Sequence, residues 1–262
     1  MTSRGAFVAA CIVVAGAIAA CADGTNESTA AGTRVGDRIA GSSSAFGGGR
    51  IDTYALSDGA GGVTHVGVNL PLAVLTAPAP PTATAAVPDI ARATTFFDHV
   101  VFELGPPAAG LPAAYDVQRL DLYFFGIPLA EQSSIDCRTE PMPPADLVPG
   151  GYVIVGDACV SGIGVRALDS TSPELALTAP APFTATMVLG YHAGKIAFLE
   201  PMVARATLEA RVSFTLAVPR PSHLDRKTLW PARFDGAYDA TSDSYAFVFS
   251  EFVPLSDVAP IE

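Results

Sequence analysis

From Arg50 onward the chain is built of short apolar stretches, each cut off by glycine, proline or aspartate before it reaches helical length. That interruption is the strongest constraint on the fold. The clearest stretch is Arg119 to Phe125. Leu120, Leu122 and Phe124 point one way, and Arg119, Asp121, Tyr123 and Phe125 point the other, which is the period of a β-strand. Similar strands are expected over Ile51–Leu56, Val63–Leu70, Phe97–Leu104, Tyr152–Val155, Phe183–Leu189, Ile196–Leu199 and Thr207–Val218. A terminal hairpin is expected from Arg233–Tyr238 and Ser244–Phe252 around the turn at Asp239–Asp243. Helices are limited to a turn or two at Leu72–Leu75, Ala130–Ser133 and Pro201–Ala206. The expected class is mainly β: antiparallel sheets forming a sandwich or open-barrel-like domain with a few short helices. The nine-residue echo between Thr76–Thr84 and Thr178–Thr186 does not continue into its flanks, and biased Pro/Ala/Thr composition accounts for it.

The N-terminus reads as an address. Arg4 precedes an uncharged run, Phe7 to Ala20. As a helix this run is about 21 Å long, too short to span a bilayer and suited to the core of a signal peptide. It ends Ile18-Ala19-Ala20-Cys21, which resembles the lipobox of bacterial lipoproteins. The resemblance implies cleavage after residue 20, lipidation of Cys21 and attachment to a membrane through that anchor, at the outer membrane or the outer face of the inner membrane of a bacterial cell envelope. Ala22, directly after the cysteine, leans toward the outer membrane. Residues 21–49 are rich in Ser, Gly, Ala and Thr and read as a flexible tether, with one β-rich domain over 50–262.

A net charge of −11 argues against nucleic acid as a partner. No Walker loop, dinucleotide fingerprint, HExxH or GxSxG elbow is present. Cys11 lies in the targeting run, which leaves Cys137 and Cys159 in the body. In an oxidising compartment these should pair, closing a loop worth on the order of 3 kcal/mol. The four histidines fall in four separate segments. His65 reads as a core or edge residue, and His192 and His223 read as surface residues. His99, beside Asp98, is the one with a neighbour suited to support a ligand. Glu103 and Glu200 form an acid/base pair on paper only, since the chain has 26 carboxylates to choose from.

Five segments together resemble a family of bacterial exported proteins to which no activity is attached. They are VGVNLPLAVL (66–75), AAGLPAAYDVQRLDLYFFG (108–126), IGVRALD (163–169), GKIAFLEPMVARATLEAR (194–211) and LWPARFDGAYDATSDSYAFVFSEF (229–252). The family carries Pro-His-Phe-Asp-x-His-Phe-Tyr and Phe-x-Glu-Pro-Met motifs, and the resemblance implies a histidine-rich centre. In this chain the histidine positions hold Ala108-Ala109, Arg119, Tyr123 and Arg166, while Asp121, Asp169 and Glu200 keep their types. A guanidinium has no lone pair for a metal. The expectation is therefore a charged cluster of Arg119, Asp121, Arg166 and Glu200 that satisfies itself as ion pairs, with His99, Tyr123 and Asp169 as neighbours. No catalytic residue, metal or cofactor is expected. The expected function is a non-catalytic, lipid-anchored envelope protein with a structural or interaction role, as a homo-oligomer or with an envelope protein. The alternatives are a small-ligand or metal-binding envelope domain around Asp121, Glu200 and His99, and a hydrolase of unknown substrate.

Overall fold

The structure is a computed structural model that describes residues 34–76, 82–105, 111–155 and 159–256. The expected signal segment, Cys21, the start of the tether, the C-terminal end and most of the first copy of the Pro/Ala/Thr echo lie outside the described residues. Residues from Thr33 onward cluster as one compact unit.

In chain order the elements are β1 (Val35–Phe46), β2 (Gly49–Asp58), β3 (Val63–Pro71), β4 (Ala83–Ala86), α1 (Asp89–Thr94), β5 (His99–Gly105), β6 (Arg119–Phe125) and α2 (Leu129–Gln132). They continue with β7 (Tyr152–Ile154), β8 (Val165–Asp169), β9 (Ala185–His192), β10 (Lys195–Ala204), α3 (Arg205–Glu209) and β11 (Phe214–Ala217). The last four are β12 (Thr228–Trp230), β13 (Arg233–Asp239), β14 (Ser244–Ser250) and β15 (Val253–Leu255). One sheet runs β1-β2-β3-β14-β13-β11, a second runs β4-β5-β6-β10-β9-β8-β7, and β12 pairs with β15. The pairings within all three sheets are antiparallel.

The main core lies between the inner faces of the two large sheets. Val66, Val68, Phe247 and Phe249 of the first sheet meet Phe102, Leu122, Phe124 and Leu199 of the second. Phe124 and Phe249 pack edge to face with centroids 4.8 Å apart, a geometry that suits the ring quadrupoles. Alternation at period two supplies these residues, so the two open sheets form the expected sandwich rather than a closed barrel.

Three expectations are corrected. The tether was expected to reach residue 49, yet residues 35–46 form β1, a full edge strand of the first sheet. Only Phe46 of β1 is buried, so apolar patterning does not reveal it. Backbone pairing with β2 holds it, and so do hydroxyls that bridge to the edge of the other sheet: Ser42 Oγ accepts from the Ala86 amide at 2.6 Å, and Thr53 Oγ1 donates to the Ala86 carbonyl at 2.6 Å. The guanidinium of Arg38 also sits 3.4 Å over the Tyr54 ring. Second, Pro201 stands inside β10 instead of opening a helix. Pairing with β6 is interrupted there, running Leu199↔Phe124 and then Met202↔Asp121, so the missing proline N–H breaks no ladder bond on that side. Third, the segment from Thr207 is split, with α3 ending at Glu209 and the strand starting at Phe214.

Candidate functional site

All seven residues of β6 are buried. Leu120, Leu122 and Phe124 enter the main core, as alternation requires. The other face would ordinarily meet water, but it is covered by long connections folded back over the second sheet. These bring Tyr115 and Phe183 against Leu168, Val188, Met202 and Ala204 of the strands, and Ile127 and Ile163 against a strand cluster of Val101, Tyr123, Phe125, Ala197 and Phe198. The expected disulfide is formed: Cys137 and Cys159 are bonded with their Cα atoms 5.6 Å apart. It ties the segment after α2 to the approach to β8, where the Gly162 amide also donates to the Ile135 carbonyl at 3.0 Å.

A row of ionisable side chains crosses this covered face. Glu103 of β5 lies opposite Asp121 of β6. Glu200 of β10 falls level with Tyr123, in the stretch where β10 and β6 are not paired. Arg166 of β8 lies opposite Gly190 of β9. A Cβ at Gly190 would overlap the Phe198 ring, so glycine there lets Phe198 close over the sheet. Arg166 and Glu200 are 0 % exposed and Arg119 is 1 % exposed.

The Arg119–Asp121 pair is made. Arg119 Nε donates to Asp121 Oδ1 at 2.8 Å and to Oδ2 at 3.1 Å, and Nη1 donates to the Tyr115 carbonyl at 2.7 Å. Tyr123 Oη is 3.5 Å from Glu103 Oε2, at the long limit of a hydrogen bond. Glu200 departs from the expected ion-pair lattice. Among the described residues neither of its oxygens has a hydrogen-bond partner, and no arginine of the row comes within ion-pair distance of it. Burial pushes the Glu200 carboxyl up to about 8 against the opposing charge of Arg166, with Asp121 adding to the rise. Burial also lifts Asp121 to about 6, although Arg119 pulls the other way. The Tyr123 hydroxyl is raised well above its usual value by the same burial and by the charges of Glu200 and Asp121. At neutral pH the row therefore holds the buried Arg119–Asp121 pair and a mostly protonated Glu200.

The neighbours expected around the row divide. Tyr123 belongs to it. His99 does not: it sits at the far end of β5, opposite Phe125, and stacks on that ring at 5.0 Å. His99 Nδ1 is 2.9 Å from Asp98 Oδ1, and burial lowers the imidazole pKa. Asp169 also stands apart. Its Oδ1 accepts from the Thr171 amide at 2.8 Å and from the Thr171 hydroxyl at 2.6 Å, forming a surface turn. Asp121, Glu200 and His99 thus do not converge, and no group of three or more His, Cys, Asp or Glu among the described residues is arranged to hold a metal ion. Sequence reasoning passed over Tyr115 as part of the centre. Its position four residues before Arg119 was the available signal, since its carbonyl completes the arginine's bonding.

The chain matches no protein-family model, no curated protein and no solved structure.

Proposed function

We propose that this chain is a lipid-anchored bacterial envelope protein whose β-sandwich serves a structural or interaction role without catalysis. The observation that carries this reading is the closure of the charged row. Its arginines and Glu200 are at most 1 % exposed. A reaction needs the substrate within hydrogen-bond reach of the acid or base. Here the covering connections occupy that space with Tyr115 and Phe183, and β10 adds Phe198. The row pins these connections to the sheet: Arg119 binds Asp121 of its own strand and the carbonyl of Tyr115 in the cover. Arg119 and Arg166, in place of imidazoles, favour ion pairing over metal ligation. The lipobox at Ile18–Cys21 supports the anchor.

The test has two arms. Growth with a labelled fatty acid should label the protein and place it in the membrane fraction, and Cys21→Ser should abolish both. An unlabelled, freely soluble wild-type protein would overturn the anchor. In the second arm, Glu200→Gln should leave unchanged any envelope phenotype of a deletion strain complemented with the gene. Loss of complementation by a stably folded Glu200→Gln protein would overturn the non-catalytic reading.

A further inference from the structure

A cleft of about 900 Å³ opens on the covered side of the second sheet. Its walls are mostly small and apolar, with Ala113, Pro182, Phe183, Ala204 and Ala206 among them. Phe183 meets the ring of Tyr115 edge to face at 5.0 Å. At the rim, Arg205 Nε donates to Glu209 Oε1 at 2.7 Å, so these two charges cancel each other.

Glu174 is the carboxylate of this lining with no cationic partner among the described residues. It borders the cleft and is only 7 % exposed. Oε1 accepts from the Tyr115 hydroxyl at 3.1 Å. Oε2 has no hydrogen bond among the described residues, and no described Lys, Arg or His lies within 4.0 Å of the carboxylate. A buried carboxylate without a cation is costly, and a neutral phenol offsets only part of that cost. Burial and the charge of Glu174 both raise the Tyr115 pKa, so Tyr115 stays a donor to Oε1 at the border of the cleft.

We propose that this cleft binds a small organic cation, an ammonium group carried on an apolar body. The ammonium would pair with Glu174, with the Phe183 face available for a cation–π contact. The apolar body would cover the Ala/Pro walls, and the volume suits a drug-sized molecule. An anion is disfavoured because the only arginine in the lining is already committed to Glu209. The inference is independent of the lipid anchor and of the charged row.

The experiment is calorimetric titration of the purified full-length protein with benzyltrimethylammonium, with benzyl alcohol and phenylacetate as neutral and anionic counterparts of the same body. The cation should bind saturably at one site, and the alcohol and the acid should bind at least about tenfold more weakly. Glu174→Gln keeps the acceptor for Tyr115 and removes the charge, and it should weaken the cation by about tenfold or more. Ala206→Trp, on an exposed wall residue, should abolish binding by filling the cleft without changing the melting temperature. No saturable binding, equal binding of phenylacetate or benzyl alcohol, or an affinity within about twofold of wild type in Glu174→Gln would overturn the proposal.

Discussion

The same local motif, an arginine, one intervening residue and an aspartate with both charges on the outer face of a strand, occurs on β13 of the first sheet and on β6 of the second. On β13, Arg233 Nε donates to Asp235 Oδ2 at 2.7 Å, and Nη2 donates to Oδ1 at 2.8 Å. On β6, Arg119 binds Asp121 at similar distances. The side chains are 45 % and 27 % exposed on β13, against 1 % and 5 % on β6. The consequence is opposite in sign. The Arg233 guanidinium holds Asp235 below the usual carboxylate range, whereas burial lifts Asp121 to about 6 despite its arginine. Pairing is set by the motif, but the net effect is set by what lies above the strand, because desolvation grows with burial faster than the attraction offsets it.

The largest test of this contrast removes one charge from the buried pair. Asp121→Ala strips Arg119 Nε of its acceptor and leaves the guanidinium charged under the cover, and it should cost about 3–5 kcal/mol in denaturant unfolding. Replacing both residues with apolar ones of similar volume should recover most of that loss. A change below about 1 kcal/mol in Asp121→Ala would mean that water reaches the pair.

The cover itself can be weakened next. Cys137→Ser with Cys159→Ser should cost on the order of 3 kcal/mol. If the disulfide holds the cover down, loosening it should also bring Asp121 toward the behaviour of Asp235. A titration by carboxyl-carbon NMR would then show the Asp121 midpoint falling from about 6. An unmoved midpoint would show that packing alone seals the face.

Glu200 gives an effect whose size pH controls. Its folded pKa stands at about 8 against an ordinary 4.5. The native state then holds a proton that the unfolded chain releases as pH passes 4.5, so stability falls as pH rises toward 8 and levels off above it. Asp121 adds a fall in the same direction between 3.8 and about 6. Glu200→Gln imitates the protonated acid. It should melt much like the parent near pH 5 and be more stable by on the order of 4 kcal/mol near pH 9. A loss of stability at pH 9 would show that the ionised carboxylate has a partner.

The extent to which the sequence foretold this contrast varies by region. The strand bounds of β6 and the terminal hairpin follow from strict alternation between an apolar and a polar face, and the disulfide from two body cysteines. Alternation also implies that the second face of β6 is wet, because it reports the polarity of side chains and says nothing of long connections folding back over them. Val165–Asp169 shows no clean alternation, with Arg166 facing the same way as Leu168, so it was not read as a strand and the placement of Arg166 beside Gly190 was hidden. β1 was hidden for the converse reason: its serines and glycines resemble a linker, and its bonds to β4 run through hydroxyls whose partners lie some 44 residues away.

The smallest effect completes the comparison. Asp235→Asn on the open sheet should cost less than about 1 kcal/mol, because an exposed pair gains little over its two hydrated partners. Asp235 has a lowered folded pKa, so its contribution is present above the ordinary carboxylate range and is lost as pH falls through the folded value. Thr215 Oγ1 also donates to Asp235 Oδ1 at 2.6 Å, and Asn keeps an oxygen for that bond. The charge change is therefore isolated from the hydrogen bond. Raising the salt concentration should shrink the Asp235→Asn difference while leaving the Asp121→Ala difference nearly intact, since mobile ions screen the exposed pair and are kept from the buried one. Equal salt sensitivity at the two sites would contradict the role assigned to the cover over β6.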